Sequence, residues 1–523
     1  MESARATEKP PAVEHVETSD GAPLKGDAAV DAATRGQAMT GYEHLSVMET
    51  IKTFKLASLI CVAMAFSAAT DGYQIGINAS VIANKGFVAR FATTKSHNGS
   101  PALASSILSA WSSIMSCGQI IGMTSLPFLS SRYGRKIAMY TYWFILVGSV
   151  IAECTTRSWQ GWLVAKLLAG IGVGCVQSTV PAYISEVAPT RIRGALLMAY
   201  SFWWTLGSFF AQVALQHLSR SDPTDYLTPV YTQWAQLGVM LLAYLLVPET
   251  PAWCVSAGKL DRAKKELLKL HRGVKDYDAD HQLQVLVLAV EHERAVAIEQ
   301  RREKWYAIFR GTDGLRTVIS LWTNLSQQFI GLTLVKVITS SIQIGTVLVL
   351  VAVVDFVGRR YLACGGTTLS WLSCVAIGII GVAPRVKAST YIFVMFACFW
   401  NVGLAANGAT GWGYIGEISS QRLRPYTAGF GAATTCVVGV VMNVLVPYMT
   451  NVNEWNWGLK TGWFYAGVGF PFALGMWFLI PETAGRSSAE LDELFERRIK
   501  PWRFHKTQTA TQRLVQENKR EEH

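Results

Sequence analysis

Apolar residues in this chain are gathered into long runs separated by short polar stretches. Six runs fall at 54–78, 103–127, 137–155, 160–182, 195–217 and 231–248. Six more fall at 316–334, 337–354, 362–382, 390–414, 426–448 and 461–480. A helix needs roughly 20 apolar residues to cross the hydrocarbon core of a bilayer. The pattern therefore predicts an all-α membrane protein with twelve transmembrane helices. It divides the chain into a tail over 1–50, a first bundle over 51–248, a linker over 249–315, a second bundle over 316–481 and a charged tail over 482–523. The first tail is polar and lacks the apolar core of a signal peptide, so it reads as disordered and cytosolic. The linker carries helix-forming runs, Leu260–His271 and His281–Lys304, and also reads as cytosolic.

The two sets of six runs repeat one another. Tyr183-Ile-Ser-Glu186-Val-Ala-Pro-Thr-Arg191-Ile-Arg193 matches Tyr414-Ile-Gly-Glu417-Ile-Ser-Ser-Gln-Arg422-Leu-Arg424, with the same spacing of Tyr, Glu, Arg and Arg. Each copy is preceded by a Gly-Arg-basic turn, Gly134-Arg135-Lys136 or Gly358-Arg359-Arg360. Each is followed by Pro-Glu-Thr, at Pro248 or Pro481, and the interval from the Glu is 62 residues in one half and 64 in the other. A chain built from two parallel halves has the architecture of a secondary transporter, with its substrate site between the halves.

Composition narrows the function further. Half the residues are hydrophobic, only 16% are charged, and the formal net charge is +11. The basic residues sit in alternate loops, which is the positive-inside pattern and not a nucleic-acid signal. That pattern places both termini in the cytosol. The nine Cys are scattered singly without CxxC or His/Cys ligand spacing, so neither a metal nor a disulfide framework is expected. A GxxxxGK[ST] loop is missing, and with it any sign of direct ATP hydrolysis; nothing suggests an enzyme or a cofactor. Asn98-Gly-Ser100 is a glycosylation sequon in the first outer loop, used or simply a surface Asn.

One region is short. Two crossings must fit between Arg316 and Asp355, where the first half uses about Thr53 to Ser131. Merging them into one crossing would put Arg359, Arg360, Arg422, Arg424 and the basic tail outside, against the charge rule. Two crossings are therefore retained, with the seventh helix shortened by a deletion or a gene-model error.

From Glu43 to Phe504 the chain resembles a sugar porter of the major facilitator superfamily, and within it the fungal maltose and other α-glucoside permeases. The Gly-Arg-Lys and Gly-Arg-Arg loops carry this, with Pro181-Ala-Tyr183 through Gly194, Pro248-Glu-Thr-Pro-Ala-Trp253 and Gln327-Gln328-Phe-Ile-Gly331. Trp455-Asn-Trp457-Gly458, Pro481-Glu-Thr-Ala-Gly485-Arg486 and Ser488-Ala-Glu490-Leu-Asp492 follow in order at family spacing. The resemblance implies a monomeric plasma-membrane protein with a central polar cavity between two six-helix bundles. It also implies uptake of a sugar or polyol together with protons.

Ionisable groups within membrane spans are costly and tend to face a cavity. Asp71, in Thr70-Asp71-Gly72-Tyr73-Gln74, is such a group. The maltose branch has an acid on both sides of Gly-Tyr; this chain keeps the first and has Gln74 at the second. Asp71 reads as a proton carrier or as a structurally paired carboxylate. Lys166 stands where the family has an Arg, either as the counter-ion of Asp71 or as a lysine reaching the interface. By the same resemblance Gln327, Gln328, Gln343, Trp412 and Asn443 line the cavity. Amides suit sugar hydroxyls because each offers donors and an acceptor. The fifth-span Gln of the family is Ser201 here, and its first-half loop Asp is Ser131. At the cytosolic helix ends Arg135, Glu186, Arg193, Arg359, Arg360, Glu417 and Arg424 correspond to inner-gate networks, or to solvated charges contributing little. A transport-impaired paralogue or membrane sugar sensor is the competing reading. An exporter ranks below it, because the fifth span lacks a GPxxGG-like run.

Overall fold

The computed structural model describes residues 46–507, apart from 96–98, 190–191, 275–276, 303, 331–335, 385, 420–422, 452, 484–490 and 492–493. Asn98, Arg191, Arg422 and most of the expected N-terminal tail thus lie outside the described residues. The first-half helices are α1 (Lys55–Ala83, broken at Phe66), α2 (Ser105–Tyr133), α3 (Arg135–Thr155), α4 (Trp159–Val187), α5 (Arg193–Ser221) and α6 (Leu227–Leu246). The second-half helices are α7 (Gly311–Phe329), α8 (Lys336–Val357), α9 (Arg359–Val382), α10 (Lys387–Ile418), α11 (Arg424–Thr450) and α12 (Thr461–Leu479). Seven candidate spans, on α1, α3, α4 and α9 to α12, are long and apolar enough to cross a membrane. The other five helices run from 19 to 29 residues. The one sheet among the described residues is a two-residue pairing of Thr94–Lys95 with Pro101–Ala102, in the loop between α1 and α2.

Packing follows the duplication. In the first half α2 lies on α4, α1 on α5 and α3 on α4; in the second, α8 lies on α10, α7 on α11 and α9 on α10. Adding six to each helix number converts one set into the other. The halves meet where α2 packs on α11 and α5 on α8, two contacts exchanged by the same operation. Small residues permit the closest approach. A Cβ on Gly118 or Gly122 of α2 would strike the α4 backbone, and one on Gly170 or Gly174 would strike α2. Close backbone approach at four-residue intervals is how membrane helices gain packing without a hydrophobic drive between them.

The repeated motifs form one device, used twice. Gly134 precedes α3 with φ 109°, and both oxygens of Glu249 accept from the backbone N–H groups of Arg135 (3.0 Å) and Lys136 (3.1 Å). Gly358 precedes α9 with φ 88°, and Glu482 accepts in the same way from Arg359 (3.1 Å) and Arg360 (3.2 Å). A carboxylate at a helix N-terminus satisfies orphan donors and complements the helix dipole. The motif tyrosines close the loop: the Tyr183 hydroxyl donates to the Pro248 carbonyl at 2.9 Å and Tyr414 to Pro481 at 3.2 Å. Each half thereby ties its third helix, its fourth helix and the end of its sixth together at one face.

The short region resolves into two helices. α7 begins at Gly311, five residues before the expected start, and its 19 residues rise about 28 Å, close to the hydrocarbon thickness. It remains shorter than the 29-residue α1. At most six residues, 330–335, separate Phe329 of α7 from Lys336 of α8, and 331–335 lie outside the described residues; the first half has 21 residues over 84–104 at the corresponding place. Between the halves lie Pro251–Ser256, Leu260–Leu270 and Ala279–Arg302, helices that share a small core of Trp253, Cys254, Val255, Ala263 and Val290.

Gly134→Ala is expected to lower the melting temperature of the purified protein more than Gly258→Ala. Both residues have positive φ, a strain of about 1–3 kcal/mol for a side chain. Only at Gly134 would the new methyl also displace the Glu249 carboxylate; Gly258 faces open space. Equal shifts in the two variants would show that the Glu249 cap contributes nothing.

Candidate functional site

The two halves are joined along polar contacts between α2 and α11. Asn451 Nδ2 donates to Ser105 Oγ (2.7 Å), Ser109 Oγ to the Val444 carbonyl (3.0 Å) and Asn443 Nδ2 to Ser116 Oγ (3.0 Å). Asn443, expected in the cavity wall, is thus a half-buried bridge between halves. The side chains of Gln327 and Gln328 diverge, as neighbours about 100° apart on a helix must. Gln327 Oε1 faces Gly408 of α10, while Gln328 Oε1 faces Gly439 of α11. The Gln327 Nε2 is buried without a hydrogen-bond partner. Beside it Asn407 Nδ2 donates to Ser326 Oγ at 2.8 Å, holding α10 on α7. Gln343 lies half-buried on α8. Trp412 falls within α10, but its side chain lies outside the described residues.

Asp71 is buried in the first half, where α1 packs against α4 and α5. Its Oδ2 accepts from Gln177 Nε2 of α4 (3.0 Å) and from the Tyr200 hydroxyl of α5 (2.9 Å). Both donors are themselves only half-buried, and Oδ1 has no hydrogen-bond partner. The expected pairing of Asp71 with Lys166 does not occur. The ammonium of Lys166 is 2.8 Å from Glu153 Oε1 on α3, and both side chains are fully buried. The reason is one of level. Lys166 lies eleven residues from Gln177 on α4, about 16 Å along the axis. It stands nearer to Gln74, one turn beyond Asp71, and donates to Gln74 Oε1 at 3.3 Å.

These contacts close into a ring. Gln74 Nε2 donates to Gln233 Oε1 (2.5 Å), Gln233 Nε2 to Glu153 Oε2 (2.9 Å), and Lys166 to both Glu153 and Gln74. Every amide and carboxylate oxygen or nitrogen in the ring has a partner. The Lys166 ammonium also sits 4.9 Å from the Trp162 ring centre. The ring joins α1, α3, α4 and α6. A buried ion pair is favourable only when its remaining polar positions are satisfied, and the two glutamines do this.

At the end of the first half where α3 begins, Arg135 reaches Glu186 with Nη2 at 2.6 Å and Nε at 3.1 Å, and its Nη1 donates to Ser130. Both side chains of this pair are about one-fifth exposed. Arg193 is half-buried at the start of α5, with its Nε unpartnered. Arg359 is half-buried at the start of α9. Arg360 turns inward instead, donating to the carbonyls of Trp477 (2.8 Å) and Trp502 (3.3 Å), and so holds the C-terminal segment on the second half. The side chains of Glu417 and Arg424 lie outside the described residues.

Sequence reading missed Glu153, Gln233, Gln177 and Tyr200. The signal for Glu153 was available: an acid inside the third apolar run and a lysine inside the fourth each need a partner. Gln177, Gln233 and Tyr200 give no comparable signal, since polar neutral residues are common in spans.

The sequence profile of the family described as "Sugar (and other) transporter" matches residues 60–343 and 332–495, two segments that meet at the shortened seventh and eighth helices. Among curated proteins, an Aspergillus fumigatus protein named MFS transporter fmqE is 30% identical over 95% of this chain and 97% of its own length. The general alpha-glucoside permease of Saccharomyces cerevisiae is 25% identical over 89% of this chain and 79% of its own. The low-affinity glucose transporter HXT1 of the same yeast is 25% identical over 85% and 83%. Among solved structures, the inward-open xylose transporter XylE from E. coli has a TM-score of 0.66 at 23% identity, covering 84% of this chain and 99% of that one. At that identity the likeness speaks for the fold.

The closed ring makes a specific expectation. Glu153→Gln or Lys166→Met alone leaves one charge buried and unpaired, and should destabilise the protein by about 3–5 kcal/mol. The double variant removes both charges and should recover most of that loss in a thermal melt. Additive losses would show that the two residues are not coupled.

Proposed function

The chain belongs to the sugar transporter family of the major facilitator superfamily, and on that premise we propose that it carries a sugar or related polyol across the membrane by alternating access, in symport with protons. Family membership makes it an integral multi-pass membrane protein and not an enzyme. The orientation we assign, from the positive-inside pattern, has both termini in the cytosol; the plasma membrane is the location that the resemblance to sugar permeases implies.

The observation that carries the substrate reading is the Gln327 Nε2 group on α7, buried beside α10 without a hydrogen-bond partner. A buried donor without a partner costs about 1–3 kcal/mol, a cost that a sugar hydroxyl would remove. Gln328, Gln343, Asn443 and Trp412 are the remaining members of the proposed site. The named relatives that transport α-glucosides and glucose support a cargo of that size and chemistry. A cargo other than sugar is favoured by one feature, Ser201 in place of the fifth-span glutamine.

Asp71 is the proposed proton carrier. The side chains against its carboxylate, Gln177, Tyr200 and Trp204, are all neutral, and its buried Oδ1 has no partner within hydrogen-bond geometry. Lys166, committed to Glu153, serves to position helices in this scheme and not to neutralise Asp71. The Arg135–Glu186 pair is assigned to the inner gate.

Labelled-sugar uptake into proteoliposomes tests the coupling. Asp71→Asn should abolish accumulation driven by an imposed pH gradient while preserving exchange of substrate between the two sides. The amide mimics the protonated acid, so the halves can still rock around bound cargo. Wild-type uptake indifferent to the gradient would remove symport from the proposal.

Arg135→Ala should lower the transport rate several-fold while leaving substrate affinity within about twofold, because a partly exposed ion pair contributes about 1 kcal/mol or less to any one state. Full wild-type uptake in this variant would remove Arg135 from the gate.

A further inference from the structure

A cleft of about 800 Å³ opens at the end of the first half opposite the Gly134 turn, away from the seam between halves. Its walls come from the short helix Lys85–Phe91, the last residues of α3, the α3–α4 loop and the first turns of α6. Two arginines line it, Arg90 and Arg157, together with Thr155, Thr156, Tyr226 and Tyr231. Arg90 comes from the short helix and Arg157 from the α3–α4 loop, so two separate segments each bring one exposed cation to the same cleft. Neither takes part in an ion pair among the described residues. The nearby Asp225 carboxylate is engaged in capping α6, accepting from the backbone N–H groups of Leu227 (2.9 Å) and Thr228 (3.0 Å).

The helices that lead away from this cleft are apolar on their free faces. α3 exposes Phe144 and Ile151, and α6 exposes Tyr231, Val239, Leu242 and Leu245. In a membrane-spanning chain such faces meet lipid tails. Tyr231 and Trp234, both at least 40% exposed, stand near the cleft end of this track, where aromatic side chains mark the membrane–water interface.

We propose that the Arg90–Arg157 cleft binds the phosphodiester of a membrane phospholipid whose acyl chains lie along α3 and α6. Two guanidiniums match phosphate oxygens in forked, charge-assisted hydrogen bonds, and the tyrosine and threonine hydroxyls supply further donors. A free phosphate would meet the same arginines but would gain nothing from the apolar track. With the orientation given above, the bound lipid belongs to the outer leaflet. Binding there is independent of the cargo carried between the halves.

Native mass spectrometry of the purified full chain in detergent tests the site without reference to cargo or orientation. Phosphatidylglycerol should be retained as one tightly bound equivalent, and a diacylglycerol with the same acyl chains, lacking the phosphate, should not. Arg90→Gln with Arg157→Gln should weaken retention about tenfold or more, the loss expected for charge-assisted contacts worth roughly 1.4 kcal/mol or more together. Arg90→Lys with Arg157→Lys, which keeps the charge but loses the fork, should fall between. Melting temperatures matching wild type establish that the variants are folded. Wild-type lipid retention in the glutamine variant would overturn the proposal. Displacement of the lipid by millimolar inorganic phosphate would also overturn it, by showing that the free anion is the preferred ligand.

Discussion

The hydrocarbon core offers no water, so every polar group carried into it must find its partner within the protein. Most of this structure can be read as an answer to that constraint. The backbone satisfies itself in helices. Side chains that cannot do so locally are bonded between helices, and those bonds decide which helices stay together. Glu153 and Lys166 would each be untenable alone between the spans; together with Gln74 and Gln233 they form a closed set that joins four helices. The rule is not met everywhere: Gln327 Nε2 and Asp71 Oδ1 are among several side-chain atoms buried without hydrogen-bond partners, and these two lie on the helices to which cargo and proton are assigned.

The duplicated motifs serve a complementary purpose at the membrane face. Glu249 and Glu482 cap the starts of α3 and α9, and Tyr183 and Tyr414 bond the prolines just before those acids. Each half is consequently fastened within itself at the end where its third helix begins, and the first half is fastened again toward the opposite end by the Glu153–Lys166 ring. Between halves the described contacts are lighter, a few hydrogen bonds from α2 to α11. Stiff halves joined by a small number of exchangeable contacts are what a rocking mechanism requires. The shortened α7–α8 connection places an asymmetry in this otherwise repeated plan, since the first half keeps a helix and a hairpin at the corresponding place.

Much of the fold was legible in the sequence. The length of the apolar runs, set by bilayer thickness, located each of the twelve expected runs on a helix, and seven candidate spans among the described residues are long and apolar enough to cross a membrane. The spacing of Gly134, Glu186 and Pro248 against Gly358, Glu417 and Pro481 gave the duplication, because each motif serves a fixed local geometry. The seventh helix begins five residues before the apolar run, because its first turns, Gly311 to Leu315, are helical without being uniformly apolar, and helix geometry does not require that they be.

The partners of charged side chains were not legible. Lys166 and Asp71 looked complementary in order along the chain, yet helix rise separates their levels and brings Glu153 to the lysine instead. Arg360 repeats its counterpart Lys136 in donating to carbonyls at the end of its half's last helix, but it also reaches the Trp502 carbonyl of the C-terminal segment, a contact the motif does not announce. The physical reason is general. Periodicity and length are properties of a single segment facing lipid, so the sequence alone determined the crossings and their repetition. Which buried charge meets which depends on the axial offsets and rotations of several packed helices, and only the tertiary structure decided that.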